Sequence, residues 1–274
     1  MKIKKIKLIY FSPTGTTQKV LESLAKGFNA EHVEHYNLTL PDEGSSVIPS
    51  LSDELIIFGS PVYGGRLPAE AIKRFKQLKP GKTLAVSVVV YGNRDFEDSL
   101  LELNNLAIEL GCCPVAGGAF IGEHSFATAD APIANGRPDS VDVQKAMEFG
   151  TRIKKTVEML PSVDAHVELN IPGRYPYEGG VRSMPVTPQT KEQTCTLCGT
   201  CAAVCPTAAI SVNESVATAI DRCIRCCACI KNCPTESRYW DDEMMKKITA
   251  WLTDNCAARK EPQVFLAGMQ RSSK

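Results

Sequence analysis

Along the first 160 residues the apolar positions switch repeatedly between short continuous runs and helical spacing. Ile6 to Phe11 is a buried-strand run behind alternating lysines, and Val20, Leu21, Leu24 and Phe28 then recur at a helical period. Leu55 to Phe58 forms a second run, followed by a short helix through Ile72, Phe75 and Leu78. Leu84 to Tyr91 (LAVSVVVY), rich in β-branched residues, reads as the central strand. Leu100, Leu103, Ala107 and Leu110 then line one helical face, and Val115 to Ile121 supplies another strand. Val143, Ala146, Met147, Ile153 and Val157 mark a last helix, and His32 to Leu38 fits as the strand between the first two units. Five strands with intervening helices predict an α/β fold, a doubly wound five-stranded parallel sheet. Such sheets bind ligands outside the carboxyl ends of their strands, where the strand order reverses.

The pattern changes after residue 160. Pro161, Pro172, Pro176, Pro185, Pro188 and the Gly179-Gly180 pair interrupt any sustained period, so 161–193 reads as a connector. Val167, Leu169, Ile171, Tyr175 and Tyr177 suit a strap lying on a domain surface. Residues 194–240 form a cysteine-dense module, and 241–274 a helix and tail. Met244, Ile248, Trp251 and Leu252 share one face of that helix behind the candidate caps Asp241 and Asp242, and the last dozen residues are expected to fray.

Composition narrows the classes. Apolar residues make up 43% and charged residues 23%, with 31 basic side chains against 31 acidic ones. That balance offers no case for a nucleic-acid or membrane-surface partner. The start lacks the apolar core of a signal peptide, so the expected compartment is the cytoplasm, where thiols stay reduced. Twelve cysteines there point to metal or redox chemistry. Ten of them lie between Cys195 and Cys256. Cys112, Cys113 and Cys256 read as core or surface thiols.

Three loops at strand ends carry the front half's chemistry. Ser12, Thr14, Gly15, Thr16 and Thr17 run into a helix N-terminus, where amides, hydroxyls and the helix dipole suit a phosphate. The Walker ending is absent, and a merely capped helix start would look the same. Pro61, Val62, Tyr63, Gly64 and Gly65 place an aromatic ring between flexible backbone, and Tyr91, Gly92, Asn93 and Phe96 do so again. Together these two loops could sandwich a flat ring. All three loops in this order resemble flavodoxin-like FMN domains over residues 1–160. The resemblance implies that the first loop holds the FMN phosphate and the other two flank the isoalloxazine, with Gly64 or Gly65 permitting a peptide flip beside it. Gly122 to Pro138 departs from small flavodoxins as a longer loop, in which His124 either approaches the flavin or serves the loop's own structure.

Cys195, Cys198, Cys201 and Cys205 precede Pro206, and 28 residues later Cys223, Cys226, Cys229 and Cys233 precede Pro234. This internal duplication is similar to bacterial two-cluster ferredoxins, a small α+β module in which the fourth cysteine of each run ligates the other cluster. The resemblance implies one [4Fe–4S] cluster on Cys195, Cys198, Cys201 and Cys233, and a second on Cys223, Cys226, Cys229 and Cys205. Zinc, the rival metal, has no use for a third cysteine two residues on. Cys227 falls opposite Gly199 in the repeat and is read as a small packed residue, not a ligand. Arg222, Arg225 and Lys231 are the candidate cations for offsetting the clusters' negative charge.

The whole chain resembles flavodoxin–ferredoxin fusion proteins of anaerobic bacteria and archaea. It implies an electron carrier between two [4Fe–4S] clusters and FMN, with redox proteins as donor and acceptor. An FMN-dependent reductase of a quinone, nitro compound or other small oxidant is the alternative, with His124 or Tyr63 as its acid. A redox sensor would need a signalling module, and none is visible. Electron transfer within one chain or between subunits of a homodimer stays open at this point.

Overall fold

The computed structural model describes residues 1–41, 54–165, 167–180 and 184–269. The front half runs β1 (Lys5–Tyr10), α1 (Thr16–Phe28), β2 (His32–Asn37), β3 (Glu54–Pro61), α2 (Ala69–Phe75), β4 (Leu84–Tyr91), α3 (Ser99–Glu109), β5 (Cys113–Ile121) and α4 (Ser140–Met159). The later elements are β6 (Val167–Glu168), β7 (Gln189–Thr190), α5 (Thr200–Ala203), β8 (Ile210–Val212), β9 (Val216–Thr218) and α6 (Ala228–Lys231). They end with β10 (Arg238–Tyr239), α7 (Glu243–Asn255), β11 (Gln263–Leu266) and β12 (Gly268–Met269).

The main sheet has the order β11-β5-β4-β3-β1-β2, and its first five strands in sequence are all parallel. The order 2-1-3-4-5 is that of flavodoxin-like sheets, with the switch point between β1 and β3. Strand side chains alternate between two cores, as the pleat requires. Ile6, Leu8, Leu55, Ile57, Val86 and Val88 face α1 and α4, while Ile9, Ile56, Phe58, Ala85 and Val89 face α2 and α3. Helices α1 and α4 approach closely because Gly150 carries no side chain: a Cβ there would lie 2.1 Å from the Leu24 carbonyl oxygen. The Asp139–Asp142 capping box starts α4, and buried Arg137 bridges Asp142 to the Lys260 carbonyl.

The tail does not fray over 263–269. Strand β11 pairs antiparallel with β5, so the sheet has six strands where the pattern predicts five. Left as an edge, β5 would present unpaired backbone groups. Strand β11 satisfies them and sends Val264 and Leu266 into one core and Phe265 into the other.

The connector lies on the sheet domain as a strap. Ile171 packs on the α2–α3 core, and Val163 and Val167 on the other. The Asp98 carboxylate accepts from the amides of Arg174 and Glu178, both at 2.8 Å. Arg66 stacks over the Tyr177 ring, whereas Tyr175, expected to pack, is 77% exposed. Helix α7 is capped by Asp242, which accepts from the amides of Met244 and Met245. Its buried residues are Met245 and Leu252, with Met244 and Trp251 exposed, so the predicted face is rotated by about one residue.

Candidate functional site

The loop after β1 delivers an open helix end. Gly15, at φ 80°, turns the chain into α1 and has no side chain of its own to cap it. Ser12 accepts from the Gln18 amide and so serves the loop itself. Thr17 is fully buried, and its Oγ1 has no hydrogen-bond partner among the described residues. A buried hydroxyl left unpaired costs ~1–3 kcal/mol, which an incoming acceptor would remove. Thr14, Gly15 and Thr16 border a cavity of about 350 Å³ that also meets Lys19 and Lys231. An anion there meets amides, hydroxyls and Lys19, while Lys231 is paired with the Glu123 carboxylate that lines the same cavity.

Thr14 and Thr16 also border a second cavity of about 340 Å³ at the switch point. Pro61, Val62, Tyr63 and Gly64 form one wall, Tyr91 and Gly92 another, and Phe126, Trp251 and Leu252 extend it. Gly64 and Gly65, at φ 59° and 82°, make a tight turn closed by the Tyr63 and Arg66 backbones. The Gly64 carbonyl already accepts from the strap's Gly180 amide at 2.8 Å, so a peptide flip there must break that bond. A Cβ on Gly92 would lie 2.4 Å from the His124 ring.

Four predicted contacts do other work. Gly65 turns toward the Glu97 carboxylate. Phe96 packs on Tyr91 in the core, at 5.6 Å between ring centroids. Buried Asn93 donates from Nδ2 to the carbonyls of Cys256 and Ala258, at 2.6 and 2.9 Å, pinning the segment after α7. Ser12, as above, closes its own loop. A glycine-flanked amide at a strand end looks the same whether it binds a ring or a distant backbone.

His124 lines the cavity. Its Nδ1 accepts from the Phe126 amide at 3.1 Å, which leaves the hydrogen on Nε2. Burial, reinforced by the charges of Arg94 and Lys231, lowers it to about 4, so the ring is neutral at pH 7. Burial, and then the neighbouring Cys226 and Cys227 thiols, push the Tyr63 hydroxyl well above its ordinary value. Neither side chain is an acid poised near neutral pH.

The cysteine-rich module repeats in its backbone as well as its spacing. Leu197 and Arg225 have φ of 54° and 55°, Gly199 and Cys227 of 78° and 62°, and Ala208 and Glu236 of 48° and 51°. The Ala209 amide donates to Cys205 Sγ and the Ser237 amide to Cys233 Sγ, both at 3.2 Å. Cys205 of the first run joins Cys223, Cys226 and Cys229 around one void. Cys233 approaches the first run through Ser237, whose hydroxyl bonds Thr194, next to Cys195. Among the described residues no group of three or more His, Cys, Asp or Glu side chains is placed to hold a single metal ion.

The two thiol sets differ in setting. Cys198 is exposed, and the Thr200 hydroxyl at 3.3 Å draws it below the ordinary thiol value. Burial pushes Cys226 up to about 12 and Cys229 to about 11, against the bare thiolate form. Cys227 is buried beside them and accepts from Trp240 Nε1 at 3.3 Å, as a packed residue.

Residues 187–234 match the 4Fe-4S dicluster domain family. The match gives the chain a redox role, and the eight duplicated thiols are the donors such clusters use. The dicluster module touches the sheet domain directly. Arg74 Nη2 donates to the Pro206 carbonyl, and Lys231 pairs with Glu123, both at 2.5 Å. Ile224 and Arg225, between Cys223 and Cys226, line the switch-point cavity. Of the cations expected near the clusters, Lys231 is thus engaged across the domain boundary, and Arg225 donates to the Met184 carbonyl.

No curated protein matches the chain. Among solved structures it is similar to an archaeal flavodoxin, at 14% identity and TM-score 0.39, covering 56% of this chain and 99% of that one. It is similar to FMN-bound Fusobacterium nucleatum flavodoxin at 15% and 0.39, over 56% and 98%. It is also similar to the rubredoxin:oxygen oxidoreductase of Desulfovibrio gigas at 14% and 0.38, over 57% of this chain and 37% of that enzyme. The strand order β2-β1-β3-β4-β5 is by itself that of a flavodoxin-like sheet. No helix among the described residues is long and apolar enough to cross a membrane.

Proposed function

We propose that this chain is an electron-transfer protein passing electrons between two [4Fe–4S] clusters and a bound FMN, linking a redox donor to an acceptor. Cys205, Cys223, Cys226 and Cys229 hold the inner cluster, and Cys195, Cys198, Cys201 and Cys233 the outer one. Thr14, Gly15, Thr16 and Thr17 hold the FMN phosphate, and the flavin ring lies between the Tyr63 and Tyr91 loops. When bound, the flavin exchanges one or two electrons and the clusters one each.

One observation carries this reading. The cavity walled by Tyr63, Gly64 and Tyr91 is also walled by Ile224 and Arg225, which sit between two ligands of the inner cluster. Cys198 and Leu197 are exposed on the outer cluster's side, where a partner protein gains access. The order of exposure supports a route from partner to outer cluster, inner cluster and flavin, within one chain. A reductase of small oxidants is disfavoured because His124 is neutral and committed at Nδ1.

The test is an anaerobic stopped-flow reduction of the FMN- and cluster-loaded protein, followed by flavin absorbance and cluster electron paramagnetic resonance. Cluster-to-flavin transfer should proceed at a rate independent of protein concentration. A rate rising in proportion to concentration would sink the single-chain route. Rapid turnover of quinones without a protein partner would favour the reductase.

A further inference from the structure

The 28-residue repeat changes character where it places a buried charge. Ile210 follows Cys205 by five residues, and Arg238 follows Cys233 by five. An apolar slot of one half holds a guanidinium in the other. Arg238 is 4% exposed, and among the described residues no carboxylate pairs with it. Its Nη1 donates to Thr190 Oγ1 at 2.6 Å and its Nη2 to Thr218 Oγ1 at 2.9 Å. Its Nε has no partner among the described residues. Nη2 also lies 4.0 Å from Cys229 Sγ. Helix α6, which carries Cys229, packs on α5, which carries Cys201. The adjacent Ser237 amide donates to Cys233 Sγ at 3.2 Å, so Arg238 lies between thiols of both sets.

A buried charge with neutral partners alone is strongly disfavoured. Two clusters, each with four thiolates and a net negative charge, supply the missing counter-charge. We infer that Arg238 is the shared buried counter-ion of the two clusters, and that it raises the reduction potentials of both. Adding an electron makes a cluster more negative, so a fixed neighbouring cation stabilises the reduced form more than the oxidised one. The contact with Cys229 makes the effect larger on the inner cluster. This rests on the two-cluster reading of the cysteines, which iron and sulfide analysis checks separately.

The experiment is an anaerobic potentiometric titration of the full-length protein, read by electron paramagnetic resonance, for wild type, Arg238→Gln and Arg238→Lys. At fixed potential the reduced-to-oxidised ratio of the more affected cluster should fall at least tenfold in Arg238→Gln, about 59 mV for a one-electron couple. Arg238→Lys should recover most of that loss. Arg238→Gln with wild-type iron and sulfide but ratios within twofold of wild type would overturn the inference. Should Arg238→Gln fail to take up clusters, uptake by Arg238→Lys would support a need for charge. Failure of both would mean that the side chain's shape is what matters, and would overturn it.

Discussion

Thr17→Val separates a phosphate ligand from an ordinary core threonine, because the two roles predict opposite signs in the two states of the protein. The side chain is fully buried and its hydroxyl has no partner among the described residues. Without flavin, valine keeps the shape and removes an unsatisfied polar atom, so the flavin-free protein should gain about 1 kcal/mol. With FMN, the lost bond is one to a charged acceptor, worth ~1.5–3 kcal/mol. At a factor of ten per ~1.4 kcal/mol, FMN binding should weaken roughly 10- to 150-fold. Thr17→Ser keeps the donor and should stay close to wild type. The assay is quenching of FMN fluorescence on titration into flavin-free, cluster-loaded protein under anaerobic conditions, paired with amide exchange of α1. An unchanged dissociation constant for Thr17→Val, or faster exchange in its flavin-free form, would refute the argument.

Cys201→Ser should lower bound iron from about eight to about four per chain while leaving FMN stoichiometry unchanged, measured by iron and flavin analysis. Asn93→Ala leaves the Cys256 and Ala258 carbonyls without their donor, at a cost of ~1–3 kcal/mol. Hydrogen exchange should rise over 256–266, and FMN affinity should change far less than in Thr17→Val. For His124 the folded value of about 4 lies below the unfolded ~6.5, so the unfolded chain binds the extra proton first. Stability present above pH ~6.5 should therefore fall by roughly 3 kcal/mol as the pH drops toward about 4. Denaturant melts of His124→Gln should be flatter across that window.

What could be read from the chain was what is local. The strands of the front half are continuous apolar runs, and their helices carry a clear period, so five strands and their loops were legible. The two cysteine runs were legible because a ligand spacing is a distance along the chain. The misses are long-range. β11 is four residues, QVFL, too short for an alternation to declare itself, and its role depends on β5 having a free edge. Asn93 shows no sign in its own loop of partners 163 and 165 residues away. On α7 an amphipathic stripe wide enough to admit either Met244 or Met245 was resolved by packing, not by period. Arg238 is different, since its signal was present: aligning the two halves of the repeat sets an arginine against an isoleucine. A broken symmetry inside a duplication is as readable as the duplication itself.

Because β11 returns to the sheet domain after the dicluster module, that module is a loop insertion, tied down at both ends. During synthesis the β5 edge stays open until residue 266 has emerged, by which point all eight duplicated cysteines are already outside the ribosome. Completing the sheet is thereby the last event of the chain's emergence, after the whole dicluster module is available to fold. Until β11 arrives, β5 is the kind of edge that recruits strands from other molecules. The threading thus makes one short C-terminal strand the closure of a sheet begun more than 250 residues earlier.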